Sequence, residues 1–282
     1  MRELERKPTD TQEASGREAL PPLAVIGAGR VGRSIARAAS EAGLTVSLSG
    51  RRDALAAAEE AGIALLCVPD ASIADACETI AVAVPPLRFV GHTSGATDLA
   101  ALHPASRRGA RTFSIHPLQT VPDGGAALTG AACAVSGSDS EARRVAEGLA
   151  TVLGMRPFPV AERHRPAYHA AASIASNYLI ALEGMAVELM ERTGTENARE
   201  LLAPLVLRTA ANWAERGDDA LTGPIARGDE DTVDRHLEAI AEVAPELLDA
   251  YEALAKRTRA LAERGRDPED RSRRPAEPEV TA

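Results

Sequence analysis

The sequence predicts an α/β chain in which a doubly wound parallel sheet is followed by an all-α C-terminal domain. Three observations predict it. Short β-like runs alternate with alanine-rich helical stretches from residue 23 to about residue 160; the alternation then gives way to helical periodicity alone; and a glycine-rich turn, Gly27 to Gly32, stands where the first strand meets the first helix. A length of 282 residues suits two domains of ordinary size better than one.

Taken in order, the strands fall at residues 23–26, 44–48, 63–68, 87–90, 111–115 and 131–135, with 155–160 as a further candidate. Strands separated by helical stretches feed right-handed crossovers, hence the parallel sheet. Beyond Arg163, Pro166 stands near the first turn of a helix that runs to the Thr193-Gly194 stop, roughly 40 Å at 1.5 Å per residue. This helix is apolar almost all round (Ala171, Ile174, Tyr178, Ile180, Met185, Val187), which predicts burial at the centre of a helical domain or in a dimer. Further helices are expected over about 198–215 and 232–263. The domain plan is a disordered tail at 1–21, a sheet domain at 22–161, a helical substrate and dimerisation domain at 162–264, and a charged, proline-rich, disordered tail at 265–282.

Hydrophobic residues at 45% and charged residues at 26% describe a globular chain. A net charge of -9, with aromatics at only 2%, argues against a nucleic-acid surface, because both the cations and the stacking platforms are missing. Cys67, Cys77 and Cys133 lie apart in apolar surroundings, without the clustering of a zinc site or a disulfide framework. The first 20 residues lack the apolar core of a signal peptide, and no apolar run elsewhere approaches the roughly 20 residues that cross a bilayer. The expectation is a soluble cytoplasmic protein with no membrane, nucleic-acid or metal partner.

The turn Gly27-Ala28-Gly29-Arg30-Val31-Gly32 has the GxGxxG pattern, directly after a strand and opening a helix. That context makes it a dinucleotide-binding turn of the Rossmann type. Gly27 makes the tight turn, Gly29 lets the backbone approach a pyrophosphate, Gly32 lets helix and strand close up, and the helix N-terminus offers N–H donors. After the second strand, where an NAD site usually carries an acid, the sequence reads Ser49-Gly50-Arg51-Arg52. A serine and two arginines suit a 2′-phosphate, so NADP is expected over NAD; the alternative is that the arginines are solvated loop charges and Asp53 takes the acid's place.

Ligands of such sheets sit beyond the carboxyl ends of the strands. There the sequence places Val68-Pro69-Asp70 against the cofactor, His92-Thr93-Ser94-Gly95 against cofactor and substrate, and His116-Pro117-Leu118-Gln119-Thr120 against the substrate. The plainer reading is that these residues cap helices and close loops. On the long helix, His169, Ser173 and Asn177 fall at i, i+4 and i+8 and share a face. A polar stripe there needs partners or a ligand, and a histidine can give a proton to a carbonyl oxygen or imine nitrogen as hydride arrives. The alternative is that the three bond one another or a neighbouring helix. Around Thr222-Gly223-Pro224, Arg227 either clamps a substrate carboxylate or merely decorates a turn before an N-cap at Asp229 or Asp231.

These motifs together, from Leu23 to Glu263, resemble a group of bacterial Rossmann-like oxidoreductases with an uncharacterised C-terminal helical domain, similar to pyrroline-5-carboxylate reductase, prephenate dehydrogenase and ketopantoate reductase. The resemblance implies a C-terminal domain of the 6-phosphogluconate-dehydrogenase-like type, homodimerisation through that domain, and hydride transfer between NADP(H) and a small anionic substrate, ketopantoate being the specific guess, held between the domains. A pyrroline-5-carboxylate type of imino-acid reduction, or an NADP sensor without chemistry, is the alternative. The well-studied ketopantoate reductases carry a lysine on the corresponding helix. Here His169 stands in that place, Ser173 follows one turn later, and the two lysines, Lys7 and Lys256, are elsewhere.

Overall fold

The computed structural model describes residues 20–122 and 125–266. The tails expected over 1–21 and 265–282 lie outside the described residues except at their inner ends. Seven strands, β1 (Leu23–Ile26), β2 (Val46–Ser49), β3 (Ile63–Leu66), β4 (Phe89–His92), β5 (Arg111–Pro117), β6 (Ala132–Gly137) and β7 (Arg156–Pro159), form one sheet in the order β2-β1-β3-β4-β5-β6-β7. The chain winds one way from β1 to β2 and then crosses back to β3 on the other side of β1. The crevice of this winding therefore opens at the carboxyl ends of β1 and β3.

Both faces of the central strands are apolar because helices cover both. Leu23 and Val25 face one core with Ile35 of α1 (Arg30–Glu41) and Leu149 of α5 (Ser140–Val152). Ala24 and Ile26, pointing the other way, meet Ala58 of α2 (Ala54–Glu59), Ile73 and Ile80 of α3 (Ile73–Ile80) and Ala105 of α4 (His103–Ser106). The sheet is not parallel throughout. β5 and β6 pair antiparallel, with Ser114 opposite Ser136, because the described residues of the 118–131 connection contain no helix to carry a parallel crossover.

The chain divides into two compact units, one up to Ile174 and one from Ala175 onward. The sequence placed the break at 161/162. The long helix starts as α6 (Arg165–Ser173), passes through a π-helical turn at Ile174–Tyr178 and continues as α7 (Leu179–Arg192). The i, i+4, i+8 face assumed a regular helix; the π turn interrupts it before Asn177, which is exposed while His169 and Ser173 are half-buried. The second unit adds α8 (Ala198–Arg216), α9 (Pro224–Arg227), α10 (Glu230–Val243) and α11 (Leu248–Arg266). The single helix expected over 232–263 is broken at Ala244 (φ -154°, ψ 59°), since Pro245 bars its predecessor from helical geometry. The expected burial of the apolar helix is not met within one chain: no residue of α7 is buried, and Ile180 is 73% exposed. Nor is the absence of any span-like run upheld, for Glu162–Arg192 contains an 18-residue window of mean hydropathy 1.3, enough to cross a membrane by length and composition alone.

What binds α6 to the sheet is a guanidinium. Arg165 is 0% exposed. Its Nη1 donates to Ser114 Oγ (2.6 Å) and Ser136 Oγ (3.2 Å), its Nη2 to the carbonyl of Ser94, and Glu162 Oε1 lies 3.6 Å away. The two serines touch each other at 2.8 Å, so one cation gathers β5, β6 and the loop after β4. Glu162 in turn accepts from the Leu99 amide through its other oxygen (2.8 Å). Removing a buried charge with these partners leaves desolvated hydroxyls and a carbonyl behind. Arg165→Ala is expected to lower the unfolding free energy by about 3 kcal/mol, and Ser136→Ala by about 1 kcal/mol because Ser114 still holds the cation. Denaturant titration of both variants checks this; equal effects would remove the guanidinium from its central role.

Candidate functional site

The glycine turn separates into two packed glycines and one open one. Gly27 has φ +116°, and a Cβ there would run into the Cys67 carbonyl; a Cβ on Gly32 would run into the Gly27 carbonyl. At Gly29 no described residue comes within 4 Å of that position. Packing among the described residues therefore accounts for Gly27 and Gly32 but not for Gly29, which stands at the N-cap of α1 with no side chain of its own to cap the helix. Ala28 and Arg30 are exposed and Val31 half-buried beside it. The space beside Gly29 lies at the N-terminal end of α1, where a helix suits a phosphate.

Beside the turn a cavity of about 340 Å³ opens at the carboxyl ends of β1 and β3, lined by Gly27, Arg51, Val68, Pro69, Asp75 and Thr79 among others. Asp75 and Thr79 on α3 were not singled out in the sequence. The Oγ of Ser49, at the end of β2, is buried without a hydrogen-bond partner among the described residues. Arg51 and Arg52 follow it, both exposed. An orphaned hydroxyl, two guanidinium groups, an open glycine and a cavity of this size fit an adenine dinucleotide carrying a 2′-phosphate. Asp53, the acid held as the alternative, occupies the N-cap position of α2 without a side-chain capping bond; of Ser49, Arg51, Arg52 and Asp53, Arg51 lines the cavity. Asp70 opens an exposed 3₁₀ turn, Asp70–Ser72, just after Pro69.

The carboxyl ends of β4 and β5 carry a second cluster. Ser94 spends its hydroxyl within its own loop: it donates to Thr97 Oγ1 (2.9 Å) and accepts from the amides of Ala96 and Thr97. Its carbonyl is held by Arg165, so Ser94 shapes the loop as the plainer reading had it. Gly95 then lets two histidines close in, since a Cβ there would stand 2.5 Å from His169 Nδ1 and 2.9 Å from His116 Nε2. The rings of His116 and His169 are edge-to-face at 5.8 Å. Tyr168 completes the group with its hydroxyl 2.7 Å from His116 Nδ1. His169 Nδ1 is buried without a partner.

The electrostatics of this edge are set by burial and by Arg165. Burial first, then His169 and Arg165, pull the pKa of His116 down to about 4, with Asp70 pulling weakly the other way. Burial, reinforced by Arg165, likewise takes His92 down to about 4; the Asp98 backbone opposes this without reaching hydrogen-bond geometry. Burial pushes the Tyr168 phenol up to about 12. The three cysteines are free, and burial raises them to about 12, 11 and 12 for Cys67, Cys77 and Cys133, so none offers a thiolate.

Sequence reasoning found the two histidines but not the residues that organise them, Arg165 and Tyr168. The serines at 114 and 136, inside β5 and β6, are the trace that Arg165 leaves in the sequence. In the second unit Thr222 and Arg227 are exposed. The plainer reading of their segment holds for its end: Asp229 caps α10, accepting from the Thr232 amide (3.1 Å) and hydroxyl (2.8 Å).

Residues 49–117 match a Rossmann-like domain, and residues 131–258 match a domain of unknown function, DUF2520, a match that begins at the last two strands of the sheet and runs on into the helical unit. No curated protein matches the chain. Among solved structures, it is similar to a protein of Bacteroides fragilis assigned as an NADP oxidoreductase (20% identity, TM-score 0.70, covering 86% of this chain and 98% of that one). It is also similar to a protein of Thermotoga maritima (21%, TM-score 0.70, 87% and 100%). A third is the reductive aminase from Aspergillus terreus in complex with NADPH and ethyl-5-oxohexanoate (18%, TM-score 0.62, 85% and 93%). At these identities the likeness concerns the fold.

The depressed histidines have a consequence for stability. Their folded pKa values lie below the unfolded value of about 6.5, so the unfolded chain binds more protons between the two. Stability is full above about pH 6.5 and falls as the pH drops toward about 4. Each histidine contributes on the order of 3 kcal/mol to that loss. Urea titrations from pH 7.5 to 4 should show the fall, and His92→Gln should flatten it; a curve unchanged by that substitution would contradict the assignment.

Proposed function

We propose that the protein is a soluble, cytoplasmic NADP-dependent oxidoreductase acting on a small anionic keto acid, ketopantoate being the specific candidate. The observation that carries this reading is Gly29: an open glycine at a helix N-terminus that packing does not require, next to the orphaned hydroxyl of Ser49. The backbone from Gly27 to Gly32 would hold the pyrophosphate, Ser49, Arg51 and Arg52 the 2′-phosphate, and Val68, Pro69 and Asp70 the wall beside the cavity. The similar proteins described as an NADP oxidoreductase and as a reductive aminase complexed with NADPH support the same choice.

When bound, the reduced cofactor supplies hydride to the substrate carbon. The chain supplies the rest. The buried charge of Arg165 raises the potential at the carboxyl edge of β4 and β5 and draws an anion there. A histidine of that edge, His116 or His169, provides the proton, with Ser173 and Asn177 as further hydrogen-bonding candidates on the same helical segment. The exposed guanidinium of Arg227, with Thr222, is the candidate clamp for a carboxylate. Reduction of an imine, as in a pyrroline-5-carboxylate type of substrate, uses the same groups and is favoured as the second reading by the likeness to a reductive aminase.

Calorimetry with NADPH and NADH tests the cofactor. NADPH should bind at least about tenfold more tightly, and the double variant Arg51→Ala/Arg52→Ala should erase that difference. Gly29→Val should lose binding while melting at the wild-type temperature. Equal affinity for both cofactors would overturn the assignment. For the substrate, loss of nicotinamide absorbance with ketopantoate or pyrroline-5-carboxylate is expected; no turnover of either would sink the substrate class.

We further propose that a second copy of the chain covers the helical unit. Ile180 at 73%, Leu205 at 64%, Leu207 at 71% and Trp213 at 63% are far more exposed than a stable monomer's largest apolar side chains usually are. Glu183, Glu188, Glu191 and Arg192 on α7 and Arg199, Glu200 and Arg208 on α8 interleave with them, a pattern suited to a protein interface with a polar rim and costly in lipid. Light scattering should report twice the chain mass, and Leu207→Glu with Ile180→Glu should halve it. A monomeric wild type would refute the proposal.

A further inference from the structure

Besides buried His92 at the end of β4, two histidines meet beside Gly95 at the carboxyl edge of the sheet, and one of these two has a hydrogen-bond partner that selects its tautomer. His169 has one ring nitrogen, Nδ1, sealed without a partner, so nothing in the described residues selects its tautomer. His116 has Nδ1 hydrogen-bonded to the Tyr168 hydroxyl at 2.7 Å. Which nitrogen of an imidazole carries the proton is decided by the bond the other makes. A phenol is a stronger acid than a neutral imidazole N–H, and the pyridine-like nitrogen is the better acceptor, so the O–H donates and Nδ1 accepts. The ring proton then sits on Nε2. That atom lies against Gly95, where only a missing side chain leaves room for it.

Resting on the reading above, we propose that His116 gives the substrate oxygen its proton from Nε2, that Tyr168 is the positioning residue that puts the proton there, and that His169 does not serve as donor. As the substrate carbon gains hydride, the carbonyl π pair moves to oxygen, and the oxygen takes the Nε2 proton. Nδ1 takes the Tyr168 proton in the same sense, so the ring changes tautomer without becoming a cation or an anion. The phenolate left on Tyr168 lies near the positive charge of Arg165 and regains a proton from water, while the nicotinamide dinucleotide leaves oxidised.

The surroundings agree with a neutral ring. His116 is flanked by His169 and Tyr168 from α6, by Arg165 at the start of that helix, and by Asp70 after β3. Burial and the two cations or potential cations outweigh the single carboxylate. Arg165 also opposes the rise that burial imposes on Tyr168, which is the direction a transient phenolate needs. Tyr168 further packs edge-to-face on Phe158 of β7 at 5.9 Å, which holds the phenol still.

The test is ring-¹⁵N NMR on the full-length protein with and without NADP, the His116 signal being identified among the 6 histidines by its loss in His116→Gln. The expected result is a single neutral Nε2–H tautomer at His116 from pH 6 to 8, which Tyr168→Phe converts to a tautomer mixture with the melting temperature kept. An Nδ1–H tautomer, or a His116 that titrates near its ordinary pKa, overturns the proposal. In turnover, His116→Gln should lose at least about 100-fold in kcat with NADPH affinity intact, and Tyr168→Phe about tenfold in kcat at unchanged KM. His169→Gln should lose less than His116→Gln, and the reverse order also overturns the proposal. If no substrate turns over at all, the reaction class fails, and the tautomer of His116 still decides the pair.

Discussion

A single buried cation, Arg165, is the constraint from which most of this architecture can be reasoned. A guanidinium with no solvent exposure is costly unless it finds partners, and here both terminal nitrogens find them in three different places in the chain: β5, β6 and the loop after β4; Nε is buried without a partner among the described residues. That requirement accounts for hydroxyls at Ser114 and Ser136 inside the sheet, and for the register that sets the two opposite each other. It also explains why α6 belongs to the sheet-bearing unit although it looks, by periodicity, like the first helix of the next one.

The same cation sets the chemistry of the edge it supports. Its charge is only partly offset, because Glu162 stands 3.6 Å off and is itself half-exposed. The residual field works in one direction on every neighbour: it keeps His92 and His116 uncharged, favours ionisation of Tyr168 and attracts anions. The dinucleotide turn lies outside this cluster and follows a different logic. Under the proposed function, selectivity there would rest on backbone amides and on three residues at and after the end of β2, so that binding a cofactor and handling a proton would fall to separate strand ends of one sheet.

The alternation of strands and helices and the glycine turn were legible because both are local: period, turn chemistry and strand–helix order sit within windows of a dozen residues. The run from Ser49 to Arg52, on which the expectation of NADP rests, is local in the same way. The antiparallel β5–β6 pair was not, because the direction of a strand depends on a connection whose residues show no helix, and absence is hard to read from composition. Nor was the break at Ala244, since the apolar pattern runs on through Pro245. Arg165 was invisible in principle: in a helix-opening Glu-Arg-His-Arg-Pro run it has the look of a solvated charge, and its burial is dictated by hydroxyls 51 and 29 positions away. The polar stripe of His169, Ser173 and Asn177 assumed a regular helix, and the π turn beginning at Ile174 withdrew Asn177 from that alignment.

Of the three glycines in the first turn, two are demanded by the fold and one by nothing within it. Under the proposed function, the demands of a stable fold and of a bound ligand would fall on different atoms of one turn. A β-carbon at the empty position before α1 would then keep the core contacts of the described residues and leave a well-folded protein unable to hold its cofactor.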